Sequence, residues 1–148
     1  MGPKYEFTDK TITNDGHILH EIRRLSDGKI GGWIESEDNL SQEGNCWVDG
    51  NAMVYDNAKV YGNAQVCNNS EVYGNAKIYC NAKVTGFASV YDNAKVYDNA
   101  IVDDWAKVYG NAQVYDNARV YGRTWVFNAR IHGSIKLTKG TFENNDFC

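Results

Sequence analysis

The sequence predicts an all-β chain wound into a stack of triangular coils: a parallel β-helix of about five turns of 18 residues, closed at its start by a hairpin. Three observations predict it. From Val48 to Val126 every sixth residue is Val, with Ile78 the one departure. Two positions before each stands a small residue, from Cys46 through Ala52, Ala58 and Ser70 to Thr124. Finally, the residues that follow each Val sort into three columns of period 18. One column holds Asp49, Cys67, Thr85, Asp103 and Tyr121. The second holds Tyr55, Tyr73, Tyr91, Tyr109 and Phe127, and the third Tyr61, Tyr79, Tyr97 and Tyr115. Two faces are aromatic and one is not, so a triangular superperiod lies above the period of six.

The unit reads Asn-Ala-x-Val-Tyr-Gly/Asp. Within Ala-x-Val-Tyr, side chains alternate, so Ala and Val point inward while x and Tyr point outward. Gly or Asp followed by Asn makes the turn, because these residues accept left-handed backbone angles. Three such corners close one coil, and coils stack at the inter-strand spacing of about 4.8 Å. Strands this short with turns this regular do not suit a hairpin meander. Each coil buries only three Val and three small residues, so packing of the outer tyrosines must add to the inner burial.

Residues 4–25 read as a hairpin: Tyr5, Phe7 and Ile12 lead to Asn14-Asp15-Gly16, a strong turn signal, and Ile18 to Leu25 return. Ile12 is out of step with Tyr5 and Phe7, which predicts a bulge in the first strand. Ile22 and Leu25 could equally begin a helical turn. A β-helix exposes a strand edge at each end, so residues 1–44 are expected to cap the helix of residues 45–137. After Val126 the register slips by one, with Ala129 and Ile131 in the places expected at 130 and 132, and residues 138–148 are read as a C-terminal cap or tail.

Composition sets outer bounds. The 148 residues form one domain, with one proline and four leucines. A net charge of −4 argues against a dedicated nucleic-acid binder. The four cysteines form no CxxC pair and no Cys/His cluster of metal spacing, and Cys46 falls at an inward place, which favours a core thiol in a reducing setting. No signal peptide and no long apolar run stands in the sequence, so a cytoplasmic protein without membrane partners is expected.

The spacing from Val54 to Ala58 and from Val60 to Ala64, continuing through Thr124, resembles the hexapeptide-repeat proteins, whose coils form a left-handed parallel β-helix. The resemblance implies the left hand; parallel crossovers are otherwise right-handed. The lead-in Gly31-Gly32-Trp33-Ile34, Asn39-Leu40-Ser41 and Gly44-Asn45-Cys46-Trp47-Val48 resembles that of a group of phage and gut-bacterial proteins with the same Asn-Ala-x-Val-Tyr-Gly coils. These are often labelled hexapeptide transferases without an established activity. The likeness spans roughly residues 4–137.

The resemblance implies two kinds of function. Many left-handed β-helix proteins are acyltransferases that use acyl-CoA or acyl-carrier donors, a histidine base, and a loop projecting between the subunits of a trimer. In this chain the fourteen hexads hold neither insertion nor histidine. His17, His20 and His132 lie outside them and read as exposed strand or cap residues, so no catalytic residue, cofactor or metal ligand is assigned. The second kind is a non-enzymatic protein-binding scaffold, a phage-encoded effector that binds a host defence protein or a second copy of itself in the host cytoplasm. Here the residues speak directly. Turn residues entering the second face are Asn51, Asn69, Phe87, Trp105 and Arg123, whereas the other two corners keep Asn from Asn45 to Asn117. Phe87, Trp105 and Arg123 lie one coil apart, which suits cation–π packing and interface hot spots. The candidate surface therefore joins them to Tyr55, Tyr73, Tyr91, Tyr109, Trp125 and Phe127. A local stabilising stack is the alternative for the same residues.

Overall fold

A computed structural model describes residues 2–148. Its first element is the expected hairpin, β1 (Tyr5–Asn14) and β2 (His17–Arg24), turning at Asp15 and Gly16, with the irregularity between Phe7 and Thr11. Ile22 lies inside β2, so the helical alternative for this segment is set aside. β2 pairs antiparallel with β3 (Ile30–Ile34). A single 3₁₀ turn (Glu37–Asn39), capped by Ser36, leads into the repeat.

Twelve short strands follow, from β4 (Trp47–Val48) to β15 (Gln113–Val114), each centred on one hexad. β16 (Arg119–Phe127) runs through a corner, and β17 (Arg130–Ile131), β18 (Lys136–Glu143) and β19 (Asp146–Phe147) finish the chain. All pairing from β3 onward within the stack is parallel, and three ladders result. Val48, Val66, Val84, Val102, Val120 and Leu137 align on the first face. Ile34, Val54, Val72, Val90, Val108, Val126 and Phe142 align on the second. Leu40, Val60, Ile78, Val96, Val114, Ile131 and Phe147 align on the third. From Val48 to Val126 the hexad Val and Ile side chains, and the Ala, Cys46, Ser70 and Thr124 beside them, are buried in one continuous core.

The stack is longer than the span of residues 45–137 read from the repeat. β3 is already the first rung of the second face and Leu40 the first of the third; β18 and β19 form further rungs where a cap or tail is expected from the sequence. The solenoid thus has about six turns. The slip after Val126 is absorbed inside the ladder, since Ile131 pairs at the rung above Val114 and stays buried with Ala129.

The corners show why Gly, Asp and Asn recur. The first turn residue of each hexad has positive φ, from Gly50 at 63° and Asp56 at 56° through Asp116 at 57° to Gly133 at 68°. Cys80, at 55°, is the one corner residue of another type. Asp does more than tolerate the angle. Asp56, Asp92, Asp98, Asp104 and Asp116 each accept, at 2.9–3.1 Å, the N–H of the corner residue one coil later. A corner donor that would otherwise face water is satisfied by the coil below.

The hairpin covers the start of the stack. Tyr5 is buried, donates its hydroxyl to the Leu40 carbonyl at 2.6 Å, and meets Trp47 edge-on at 6.4 Å. Gly31 is required here by close approach: a Cβ would stand 2.6 Å from Trp47 Cζ2 and 2.6 Å from the Val48 carbonyl. Asn39, also buried, joins the first rung to the next, accepting from Glu35 and Ser36 N–H and donating to the Asp56 and Ala58 carbonyls.

Candidate functional site

Both aromatic columns are ring-on-ring stacks. On the second face Tyr55, Tyr73, Tyr91 and Tyr109 lie 4.9–5.2 Å apart and near-parallel, ending at Phe127 tilted by 34°. On the third face Tyr61, Tyr79, Tyr97 and Tyr115 stack at 4.9–5.1 Å. Hydroxyls reach across to the next coil, Tyr55 to Glu71 at 3.2 Å and Tyr97 to Gln113 at 2.9 Å. Burial pushes the phenols of Tyr73 and Tyr79 up to about 12, so they stay neutral. These columns act first as cover for the coils: within each stack every inner ring has a neighbour on both faces.

Tyr55 is a correction to the candidate surface. It is only 4% exposed, because the hairpin lies over it and His17 packs on its ring at 4.9 Å. All three histidines pack on aromatic rings: His20 stacks on Phe7 at 4.4 Å and His132 on Tyr115 at 5.0 Å, while His17 lies tilted by 41° on Tyr55. His17 and His132 therefore terminate the two ladders, at opposite ends.

His17 also forms a clasp. Its Nδ1 lies 2.9 Å from Glu35 and its Nε2 3.2 Å from Asp56, which joins the hairpin to β3 and to the first full coil. These three residues are also the one group among the described residues whose His and carboxylate ligand atoms lie within 4.8 Å of one another. With both ring nitrogens already paired to carboxylates, the arrangement suits an imidazolium. The hydrogen bond to Glu35 raises the His17 pKa above 6.5, and the same bond lowers that of Glu35 below 4.5. A raised imidazole pKa stabilises fully below 6.5 and fades as pH rises through the folded value; the lowered carboxylate stabilises above 4.5 and fades as pH falls through its own. The difference in melting temperature between wild type and His17→Ala is therefore expected to peak between these values and to shrink as the solution becomes alkaline. A difference that kept growing as pH rose above 6.5 would contradict the clasp.

The corner column is the exposed feature. Phe87 and Trp105, each 51% exposed, stack at 5.2 Å and 7°, and Arg123 lies over the other side of Trp105 at 5.6 Å. Beside them Lys107 sits 5.1 Å above Trp125, itself 44% exposed. Phe87, Trp105, Lys107, Arg123 and Trp125 line a groove of about 430 Å³ with Gly140 and Thr141 of β18. The structure thus brings together four of the predicted residues, Phe87, Trp105, Arg123 and Trp125. It leaves Tyr73, Tyr91, Tyr109 and Phe127 as a half-buried neighbouring column outside the groove. Lys107 is absent from the surface read in the sequence, although it lies one regular coil before Trp125 and the superperiod puts it there. Gly140 and Thr141 are absent for another reason: the last coil is shorter, and Val126 pairs with Phe142 rather than with the Asn144 that the superperiod would select.

Among the described residues no helix is long and apolar enough to cross a membrane. No curated protein matches the chain. Residues 112–126 are similar to the YdcK Beta solenoid repeat, and with its three parallel ladders the chain is a β-solenoid repeat protein.

Proposed function

We propose that the chain is a protein-binding scaffold whose working surface is the groove of Phe87, Trp105, Lys107, Arg123 and Trp125. One observation carries the reading. On rigid coils whose other two corners repeat Asn, this corner alone departs to Phe, Trp and Arg, and with Trp125 beside it holds three large aromatic rings at 44–51% exposure. Trp, Arg and a neighbouring groove form the usual centre of an interface. On this reading the coils wind left-handed in the hexapeptide manner. The protein then works as a phage-type effector in a host cytoplasm, its partner a host protein or a second copy of the chain. The tyrosine columns supply stiffness and the corner supplies recognition.

Trp105→Ala tests this. Because the side chain points outward, the melting temperature should change little, while binding should weaken by more than ~1 kcal/mol. Light scattering on the eluting protein reads self-association, and titration of a captured host partner reads hetero-association. If neither assembly responds to the substitution, the column is a stabilising stack and the reading fails.

A further inference from the structure

The start of the stack gathers metal-ligand groups that the corner groove does not use. His17 opens β2, Glu35 follows β3, and Asp56 stands at a corner of the first full coil, so three segments distant in sequence meet here. One ring nitrogen and one oxygen of each acid lie within 4.8 Å of one another. Between 28% and 33% of each side chain is exposed, so the donors are recessed yet reachable from solvent.

Both carboxylates are held in place by the backbone. Glu35 Oε1 accepts the Asp56 N–H at 2.8 Å, and Asp56 Oδ2 accepts the Gly74 N–H at 3.1 Å. Each acid thus keeps one oxygen for the imidazole, and the two are not equally served. Glu35 Oε2 is hydrogen-bonded with His17 Nδ1 at 2.9 Å. The 3.2 Å contact of Asp56 Oδ1 with Nε2 lacks hydrogen-bond alignment, and Asp56 Oδ1 has no other partner among the described residues. No Lys or Arg pairs with either acid among the described residues, and Asp15, which also acts on the ring, adds further negative charge. With a neutral imidazole, two negative charges are left for a counter-ion.

We infer that His17, Glu35 and Asp56 bind a divalent transition-metal ion of the zinc type, with a further position left to water. Around a tetrahedral ion with bonds of about 2.1 Å, donor atoms stand about 3.4 Å apart, so the three need close by no more than ~1.4 Å. An imidazole with two carboxylates suits Zn²⁺ better than Ca²⁺ or Mg²⁺, which prefer oxygen donors alone. The backbone bonds to Glu35 and Asp56 limit the reorganisation, as outer partners of metal ligands do. The ion displaces the imidazolium proton, so clasp and metal site are alternative states of the same three residues, and the pH profile of the clasp belongs to the metal-free protein. Once bound, the ion ties the hairpin to β3 and to the first full coil.

The opposite end of the stack supplies a control. There His132 packs on Tyr115 as His17 packs on Tyr55, and its Nδ1 lies 3.8 Å from Asp116, whose Oδ2 accepts the Gly133 N–H. The arrangement differs in that no second carboxylate joins it among the described residues.

The test uses the whole chain stripped with a chelator, with Cys67, Cys80 and Cys148 replaced by Ser so that accessible thiols take no metal. Calorimetric titration with Zn²⁺ should give one equivalent, and the melting temperature should rise with free Zn²⁺. His17→Ala and Glu35→Gln should each weaken binding at least tenfold, whereas His132→Ala should leave it unchanged. Since the same side chains hold the hairpin, a second measurement leaves them intact: Mn²⁺ added to the parent chain should broaden the ring resonances of His17 and Tyr55 and spare those of His132 and Tyr115. The inference is overturned if Zn²⁺ shows no saturable binding, if His17→Ala or Glu35→Gln binds as the parent does, if Ca²⁺ binds as tightly as Zn²⁺, or if Mn²⁺ broadens both ends alike.

Discussion

Val90→Asp is expected to split the solenoid at its middle. Val90 is fully buried between Val72 and Val108 in the second ladder, and the inward residues of the neighbouring coils on that face are Val and Ala with the hydroxyls of Ser70 and Thr124. A carboxylate placed there meets no cation and no free donor, because Ser70 and Thr124 already donate to carbonyls. The cost is on the order of 5 kcal/mol, comparable with the whole stability of a small domain. Coils contact only their neighbours, so the loss should appear as a broad transition of two shorter stacks rather than one sharp melt. Lys95→Asp is the control. Lys95 points outward between Lys77 and Gln113, and reversing its charge relieves a like-charge contact, so its effect should stay within about 0.5 kcal/mol. Urea denaturation followed by far-ultraviolet circular dichroism separates the two. Equal destabilisation would mean that the inward and outward sets are misassigned.

Gly122→Ala is expected to loosen the last coil. Gly122 has φ of 61°, and a Cβ there would collide with the Thr138 carbonyl oxygen of β18. Ala in that conformation costs roughly 1–2 kcal/mol from the backbone angle alone. Displacing a paired strand adds to this, for a total of about 3 kcal/mol or more. Gly133→Ala isolates the two contributions. Its φ is similar, at 68°, but the nearest atom to its Cβ is Cys148 Cβ at 3.4 Å, an ordinary contact. Amide exchange over β18 should rise sharply for Gly122→Ala and hardly for Gly133→Ala. Matching profiles would show that the approach of Thr138 to Gly122 does not limit the coil.

The middle of the molecule is legible in the sequence because it is periodic. Val48 to Val126, the three outer columns and the exceptional corner all follow from counting in sixes and eighteens. The ends escape that count because their rungs are not one regular coil apart. Ile34 pairs with Val54 and Leu40 with Val60, both wider steps than a regular coil, since the segment from Leu40 to Val48 is longer than one hexad; the step from Ile131 to Phe147 is narrower. Their inward residues are large, Ile34, Leu40, Phe142 and Phe147, and fit no hexad pattern. Within the candidate surface, Phe87, Trp105, Arg123 and Trp125 are readable as breaks in a repeat. The burial of Tyr55 is not, because it depends on His17, far back along the chain in a hairpin that folds over the first coil. The Asp-to-next-coil bonds and the His17 clasp also depend on groups that come together only after winding.

The change of coil length near Asn128 divides the molecule by what duplication can do to it. Upstream, from Val48 to Val126, any block of three consecutive hexads begins and ends in the same phase, so gene slippage can add or remove a whole turn without disturbing its neighbours. Downstream, the steps from Val114 to Ile131 and from Val126 to Phe142 are both shorter than three hexads and differ from each other, and no block there can be repeated in phase. Such a molecule is a ruler with one fixed end. The distance from the hairpin to the final coil can drift over evolutionary time in steps of about 4.8 Å, the inter-strand spacing. The part beyond Asn128, with β17, β18 and β19, keeps its internal geometry at every length.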